Sequence, residues 1–296
     1  MKLTTPLSER LGLRLPFVCA PMFLISNREM IVACAEAGIL GSMPSLNART
    51  PEQFRADLAW IRARTDRPFG INLTIGLTAP ERIEADFQAC VEHEVPVLLT
   101  SYGNPTDLVR RAHERKMTVF HDVIGLAHGK KAVAAGVDGI IAVAAGAGGH
   151  AGRVSPFVLI PWLKEALNVP ILAAGCISDG RQVVASLALG ASLCYIGTRF
   201  IASVECGAVD AYKQKVVAAT PDDIVYTDLV SGIHANFLKD TVPEGFQPDR
   251  SPEGAKRWRD IWSAGQGVGL IHEVKPIGAI VDDLAREAHD TLAGLA

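Results

Sequence analysis

The feature that most constrains this chain is an eightfold alternation. A short apolar run rich in β-branched residues is followed by a longer stretch with helical spacing, and the unit repeats between Phe17 and Gly197. The strand-like runs are 17–22, 39–42, 68–73, 95–100, 117–123, 137–144, 169–174 and 192–197. Between them, helical patterns cover 29–37, 51–64, 80–94, 105–115, 126–135, 156–167 and 179–189. Near-continuous apolar strands joined by helices imply parallel strands covered on both faces. Eight such units in a row, with no alternating edge-like strand, predict a closed α/β barrel, the (β/α)8 TIM barrel, in preference to an open doubly wound sheet.

After the eighth run the pattern changes. A helix is expected from about Gly207 to Ala219. The segment 220–270 then carries Tyr226, Phe237, Phe246, Trp258 and Trp262 among many Pro, Asp and Gly residues. It is too long for an ordinary connection, so it reads as a small inserted subdomain or lid, with a closing helix over 277–295. The expected division is a barrel core over 1–205, a lid over 206–275 and a C-terminal helix over 276–296.

Composition narrows the function. With 49% hydrophobic residues in 296 a large core is available, and a net charge of −3 gives no reason to expect nucleic acid or an anionic membrane as partner. No apolar run approaches the ~20 residues of a membrane span. Cys19, Cys34, Cys90, Cys176, Cys194 and Cys206 form no C-x-x-C pair and fall mostly in apolar runs, as reduced residues of a cytoplasmic protein do.

In a barrel of this kind chemistry collects where the strands end. The sixth run leads into Ala144-Ala145-Gly146-Ala147-Gly148-Gly149-His150-Ala151-Gly152-Arg153. Small residues there let a flat or phosphorylated group approach the backbone, and His150 is a candidate general base. A flexible loop with an incidental histidine is the competing reading. Ser155 and Pro156 then signal a helix start. Pro21 ends the first strand, Asn72 sits at the end of the third, and Asp122 at the end of the fifth. Each has a structural alternative as a strand terminator, loop cap or helix cap. His121 alternates with Asp122 and is expected to face the helix layer. The seventh and eighth strands both end in glycine turns, Gly175-Cys176 and Gly197-Thr198, the usual place for a phosphate in this architecture. No His, Cys, Asp or Glu spacing suggests a metal. One extended phosphorylated cofactor across the mouth, flavin mononucleotide (FMN) or a sugar phosphate, suits these positions.

Taken together, Ala20-Pro21-Met22, Phe69-Gly70-Ile71-Asn72-Leu73, Ala147-Gly148-Gly149-His150-Ala151-Gly152, Ala173-Ala174-Gly175-Cys176-Ile177, Gly197-Thr198-Arg199-Phe200, Ser231 to Phe237 and Ala264 to Gly269 resemble the FMN-dependent nitronate monooxygenases over about residues 10–285. The resemblance implies FMN as cofactor. Pro21, Met22 and Phe23 would line its ring, and Asn72 would contact the ring or ribityl chain. Asp122 would stand beside the flavin, where relatives often carry a basic residue. Gly148 and Gly149 would pack under the ring. Gly175, Cys176, Gly197 and Thr198 would bind the phosphate, and Gln266 would close over the flavin. His150 would be the catalytic residue. The implied reaction is oxidation of alkyl nitronates by O2 to carbonyl compounds and nitrite, with a small-molecule substrate and O2 as the partners and a homo-oligomer compatible. An NAD(P)H-dependent FMN reductase of enoyl thioesters or quinones is the alternative within enzymes, and a non-catalytic FMN-binding barrel the alternative outside them.

Overall fold

A computed structural model describes residues 3–243, 245 and 260–295. Phe246 and Trp258, two of the lid aromatics, lie outside the described residues. Eight strands form one parallel sheet: β1 (Phe17–Cys19), β2 (Gly41–Pro44), β3 (Phe69–Thr74), β4 (Val97–Ser101), β5 (Thr118–Val123), β6 (Gly139–Val143), then β8 (Ile171–Ala174) and β9 (Leu193–Ile196), with the two-residue β7 (Gly149–His150) set apart. The order is β1-β9-β8-β6-β5-β4-β3-β2. The ring closes between β1 and β2, where Cys19 N–H donates to the Leu40 carbonyl at 2.8 Å and Leu40 N–H to that of Phe17 at 3.1 Å. The barrel expectation therefore holds, and the open sheet is excluded by this closure.

Alternation along the strands builds two cores. Phe69, Ile71, Leu73, Val119 and Ile140 face the surrounding helices, while Val18, Leu40, Val97, Leu99, Phe120, Ile141, Leu172, Leu193 and Tyr195 fill the barrel interior. Below that interior, α1 (Pro6–Arg10) carries Leu7 into the same cluster, joined by Leu13 from the segment that follows. Thr5 caps α1 and fixes it to the barrel through a 2.7 Å bond to the Ser192 carbonyl. The connecting helices begin where the sequence placed their signals. Thr50 caps α3 (Pro51–Arg62), and Asp179 with Gln182 forms a capping box for α8 (Gly180–Ala188). Ser155 precedes α7 (Pro156–Ala166) as expected, but its side chain makes no capping hydrogen bond. The closing helix, α11 (Ile277–Gly294), packs against α8 and against α2 (Arg28–Glu36).

Two expectations need correction. The second strand runs over 41–44 instead of 39–42, because Gly41 is where the chain comes close enough to α2 to pair with β3. The glycine loop after β6 is not an open loop. Its residues 149–150 form β7, the third strand of an antiparallel sheet with β11 (Ala235–Leu238) and β10 (Ile224–Thr227), in the order β10-β11-β7. The segment after the eighth barrel strand thus reaches back and lies on the loop that carries His150.

Candidate active site

Alternation brings the polar residues to the barrel mouth. On β5, Phe120 points inward, His121 outward and Asp122 inward. His121 is buried against Thr100, its Nδ1 2.7 Å from that hydroxyl. Burial and the nearby His128 push its pKa down to about 4, as suits a structural imidazole. Across the mouth the Asn72 amide donates to the Leu99 carbonyl at 3.0 Å and to Ser101 Oγ at 2.8 Å. Ser101 Oγ in turn donates to Asp122 Oδ2 at 2.6 Å. The other carboxylate oxygen, Asp122 Oδ1, is shielded from solvent and has no partner. Its burial raises the pKa to about 6, against a smaller opposing effect of the Ser101 bond. Beside it, Tyr102 ends β4 with a backbone φ of +59° and a hydroxyl that is also shielded and unpartnered.

His150 is held from two directions. Its backbone pairs with Ala235 in the lid sheet, and its ring meets the edge of Tyr102 with centroids 5.7 Å apart. Its Nε2 lies 3.0 Å from Ser231 Oγ. With its single proton directed at the Ile233 carbonyl, 3.0 Å away, that hydroxyl accepts from the Nε2–H tautomer of His150. Nδ1 is then the free lone pair. Burial lowers the His150 pKa, so the ring is neutral at pH 7. The floor before it requires glycine for two reasons. At Gly148 a side chain would stand 2.9 Å from Gly265 N and 3.0 Å from Thr198 Oγ1, whereas Gly149 has open space but a φ of +69°. Asn236, buried in the lid sheet, clamps this floor by donating to the Ala147 carbonyl at 2.7 Å.

Below the floor, the ends of β8 and β9 meet the C-terminal segment. Gly265 N–H donates to Thr198 Oγ1 at 3.0 Å, and Gln266 N–H to the Gly146 carbonyl at 2.9 Å. The amides of Gly175, Cys176 and Gly197 show no hydrogen bond within the described residues, so three donors at the ends of β8 and β9 are unpaired near a short helix, Thr198–Ile201. Cys176 adopts a φ of +56°, its thiol lies 3.6 Å from the Ala145 carbonyl, and burial raises its pKa, which removes it as a thiolate nucleophile.

The structure therefore gathers Asn72, Asp122, His150, the 148–149 floor, the 175–176 and 197–198 turns and Gln266 around one mouth. Pro21 and Met22 lie just beyond the end of β1, and Phe23 after them is more than half exposed. Ser101 and Tyr102 were not singled out by the sequence, and Ser231 and Asn236 stood in a motif that the sequence offered without a role for either. Only the glycine after Tyr102 hinted at a sharp turn there. Among the described residues no group of three His, Cys, Asp or Glu side chains is placed to hold a metal, and no helix is long and apolar enough to cross a membrane.

Comparison with known proteins adds to this geometry. The family model described as nitronate monooxygenase matches residues 4–247. The chain is 30% identical over 258 residues to a (3aS,4S,5R,7aS)-5-hydroxy-7a-methyl-1-oxo-octahydro-1H-indene-4-carboxyl-CoA dehydrogenase from Mycobacterium tuberculosis, covering 86% of this chain and 71% of that protein. Among solved structures it resembles FabK from Thermotoga maritima, with a TM-score of 0.86, 32% identity and 98% of each chain covered. It also shares its fold with a nitroalkane oxidase from Streptomyces ansochromogenes, with a TM-score of 0.85 at 24% identity over 98% of this chain and 100% of that one.

Proposed function

The chain belongs to the nitronate monooxygenase family and is a flavin-dependent oxidoreductase, and from that premise we propose that it oxidises alkyl nitronates with O2 to carbonyl compounds and nitrite, with FMN as its cofactor. The residues present fit such a group. The free amides of Gly175, Cys176 and Gly197 and the hydroxyl of Thr198 would take a terminal phosphate. Gly148 and Gly149 would lie under the ring, Pro21, Met22, Asn72 and Asp122 would border it, and Gln266 would close its phosphate end. Bound there, the flavin supplies the electron-transfer chemistry that no side chain can.

The observation that carries the reading is the fixed imidazole of His150. Ser231 Oγ accepts a hydrogen bond from Nε2–H, which leaves Nδ1 as a lone pair in a half-buried mouth. A neutral base so placed accepts the proton on the carbon beside the nitro group of a nitroalkane, giving the nitronate. The lid strands β10 and β11 exclude water from one side, and the Asn72–Ser101–Asp122 chain fixes the other wall.

A second reading, an NAD(P)H-dependent reductase of enoyl thioesters or quinones, is favoured by the absence of any cationic side chain among the groups acting on Asp122 and by the likeness to a CoA-thioester dehydrogenase. The two readings separate without oxygen. Loss of the visible flavin absorbance on adding ethyl nitronate is expected, and the loss on adding nitroethane, whose α-proton must first be removed, should be slowed roughly 10²–10⁴-fold by His150→Asn with flavin still bound. Loss with NADPH and none with ethyl nitronate would establish the second reading instead. Bound flavin that responds to neither donor would mark a binding protein.

A further inference from the structure

Two polar atoms in the mouth are left without partners by a chain that satisfies most of its others, and they stand at adjacent strand ends. Asp122 Oδ1 and the Tyr102 hydroxyl are both shielded from solvent, and neither has a hydrogen bond among the described residues. Buried polar groups are ordinarily paired, so such a pair beside the His150 imidazole is a place prepared for a ligand.

Both are held in position. Ser101 fixes the far oxygen of Asp122 at 2.6 Å and is itself fixed by Asn72. Tyr102 is locked by its left-handed backbone, by Gly103 behind it, and by Gly76, whose missing side chain leaves room for the Tyr102 Cβ and the Gly103 amide. For a bulky aromatic residue a φ of +59° is costly, and such strain is retained where surrounding structure imposes it, often at a site.

We propose that Asp122 Oδ1 and the Tyr102 hydroxyl are the specificity-determining pair of this mouth, which receives a neutral carbonyl- or amide-bearing group and excludes an anion wherever Asp122 is ionised. The phenol donates to the substrate oxygen. Asp122 donates to it when protonated, and accepts from an N–H or stands against any negative charge when ionised. The groups that face Asp122 do not offset its charge. They are Ser101 at the end of β4 and Tyr102 after it, Ile141 opposite it on β6, the phenol of Tyr195 from β9, and, beyond Tyr102, His150, whose pKa burial lowers. The charge of Asp122 acts on both phenols, adding to burial in holding them protonated. With Asp122 titrating near pH 6, an anionic substrate is admitted on the acid side and a neutral one throughout. This deepens the reading of the same site given above. An alkyl nitronate would enter with Asp122 protonated, whereas an enoyl thioester or a quinone, being neutral, would enter at any pH.

The test uses crotonamide and crotonate, one skeleton in neutral and anionic form, with binding to the flavin-loaded protein followed by ligand-observed NMR at pH 5.5 and pH 8. Crotonamide should bind equally at both, and crotonate at least about tenfold more weakly at pH 8, a factor that corresponds to about 1.4 kcal/mol. Asp122→Asn should abolish the pH dependence of crotonate binding. Ser101→Ala, which removes a bond to the ionised form, should move its midpoint to higher pH. Tyr102→Phe should weaken crotonamide about fivefold, as loss of one neutral hydrogen bond does. Failure of both probes to bind at millimolar concentration would overturn the proposal. So would an Asp122→Asn protein that keeps the crotonate pH dependence and changes only its flavin spectrum. Neither outcome depends on whether ethyl nitronate reduces the flavin, so the two readings can fail separately.

Discussion

At the scale of the residue, Asp122 has a cost that can be measured in the fold itself. Its carboxyl is raised from 3.8 to about 6 by burial. Between those values the native state therefore binds the proton that the unfolded state has released. Stability contributed by this group is greatest at low pH, falls as pH rises through that window, and stays reduced above it. Two pKa units correspond to about 3 kcal/mol. Asparagine in its place keeps an oxygen to accept from Ser101 and removes the charge. Asp122→Asn is therefore expected to melt several degrees above the parent at pH 8 and together with it at pH 4. Comparing the two at each pH cancels the opposite trend set by His121, whose pKa lowered to about 4 makes the fold less stable as acid protonates it. A difference in melting temperature that stays constant from pH 4 to 8 would show that the carboxylate carries no such penalty. Asp122 and Asn72 were legible because side chains alternate along a strand and the preceding apolar residues fixed the phase, and His150 because it stands in a run of small residues after the sixth strand. Tyr102 and Ser231 were not legible. Their importance lies in a backbone twist and in a proton's direction, and neither has a one-letter signature.

At the scale of the element, a few specific contacts besides the His150–Ser231 bond join the segment 220–238 to the loop of His150. β7 contributes two residues, and the buried Asn236 amide adds one hydrogen bond to the Ala147 carbonyl across 89 positions of sequence. Tyr226 adds another, to the Ala151 carbonyl at 2.9 Å. A strand of two residues has no periodicity, and its partner lies far along the chain. The sequence therefore showed the small residues of 144–153 and the excess length of 220–270 without showing that they pair. The eight barrel strands and their helices were legible because each repeats a local pattern that needs no distant partner to be recognised. Replacing Asn236 with Leu leaves the Ala147 carbonyl buried and unpaired, at a cost of about 1–3 kcal/mol. Hydrogen exchange should quicken at 147–150 and across β10 and β11 while β3 to β6 stay protected, and flavin should dissociate faster. Uniform acceleration over the whole chain would instead mean that the latch supports the barrel and not the loop.

At the scale of the molecule, the barrel has two ends with different work. The mouth gathers orphaned polar atoms, glycine turns and residues of positive φ, all of which cost stability. The opposite end is closed by apolar packing. Leu7 from α1 and Leu13 sit beneath Val18, Leu40 and Leu193 and complete the interior cluster, and the Thr5 capping box sets α1 in place. This arrangement separates stability from chemistry, as in barrels generally. Leu7→Ala makes the separation measurable. Truncating a buried leucine costs about 2–5 kcal/mol, the larger values where the surroundings cannot collapse into the space, and here strand ends on all sides resist collapse. The melting temperature should fall markedly while flavin affinity changes less than about twofold, a difference under 0.5 kcal/mol. The reason is mechanical. A close-packed interior of Leu99, Phe120, Ile141 and Leu172 lies between Leu7 and the mouth, and a cavity at the floor removes contacts there without shifting the strand ends that carry Asn72, Ser101 and Asp122. Flavin affinity that falls in step with melting temperature would show instead that the floor transmits strain through the barrel, and that its two ends are one cooperative structure.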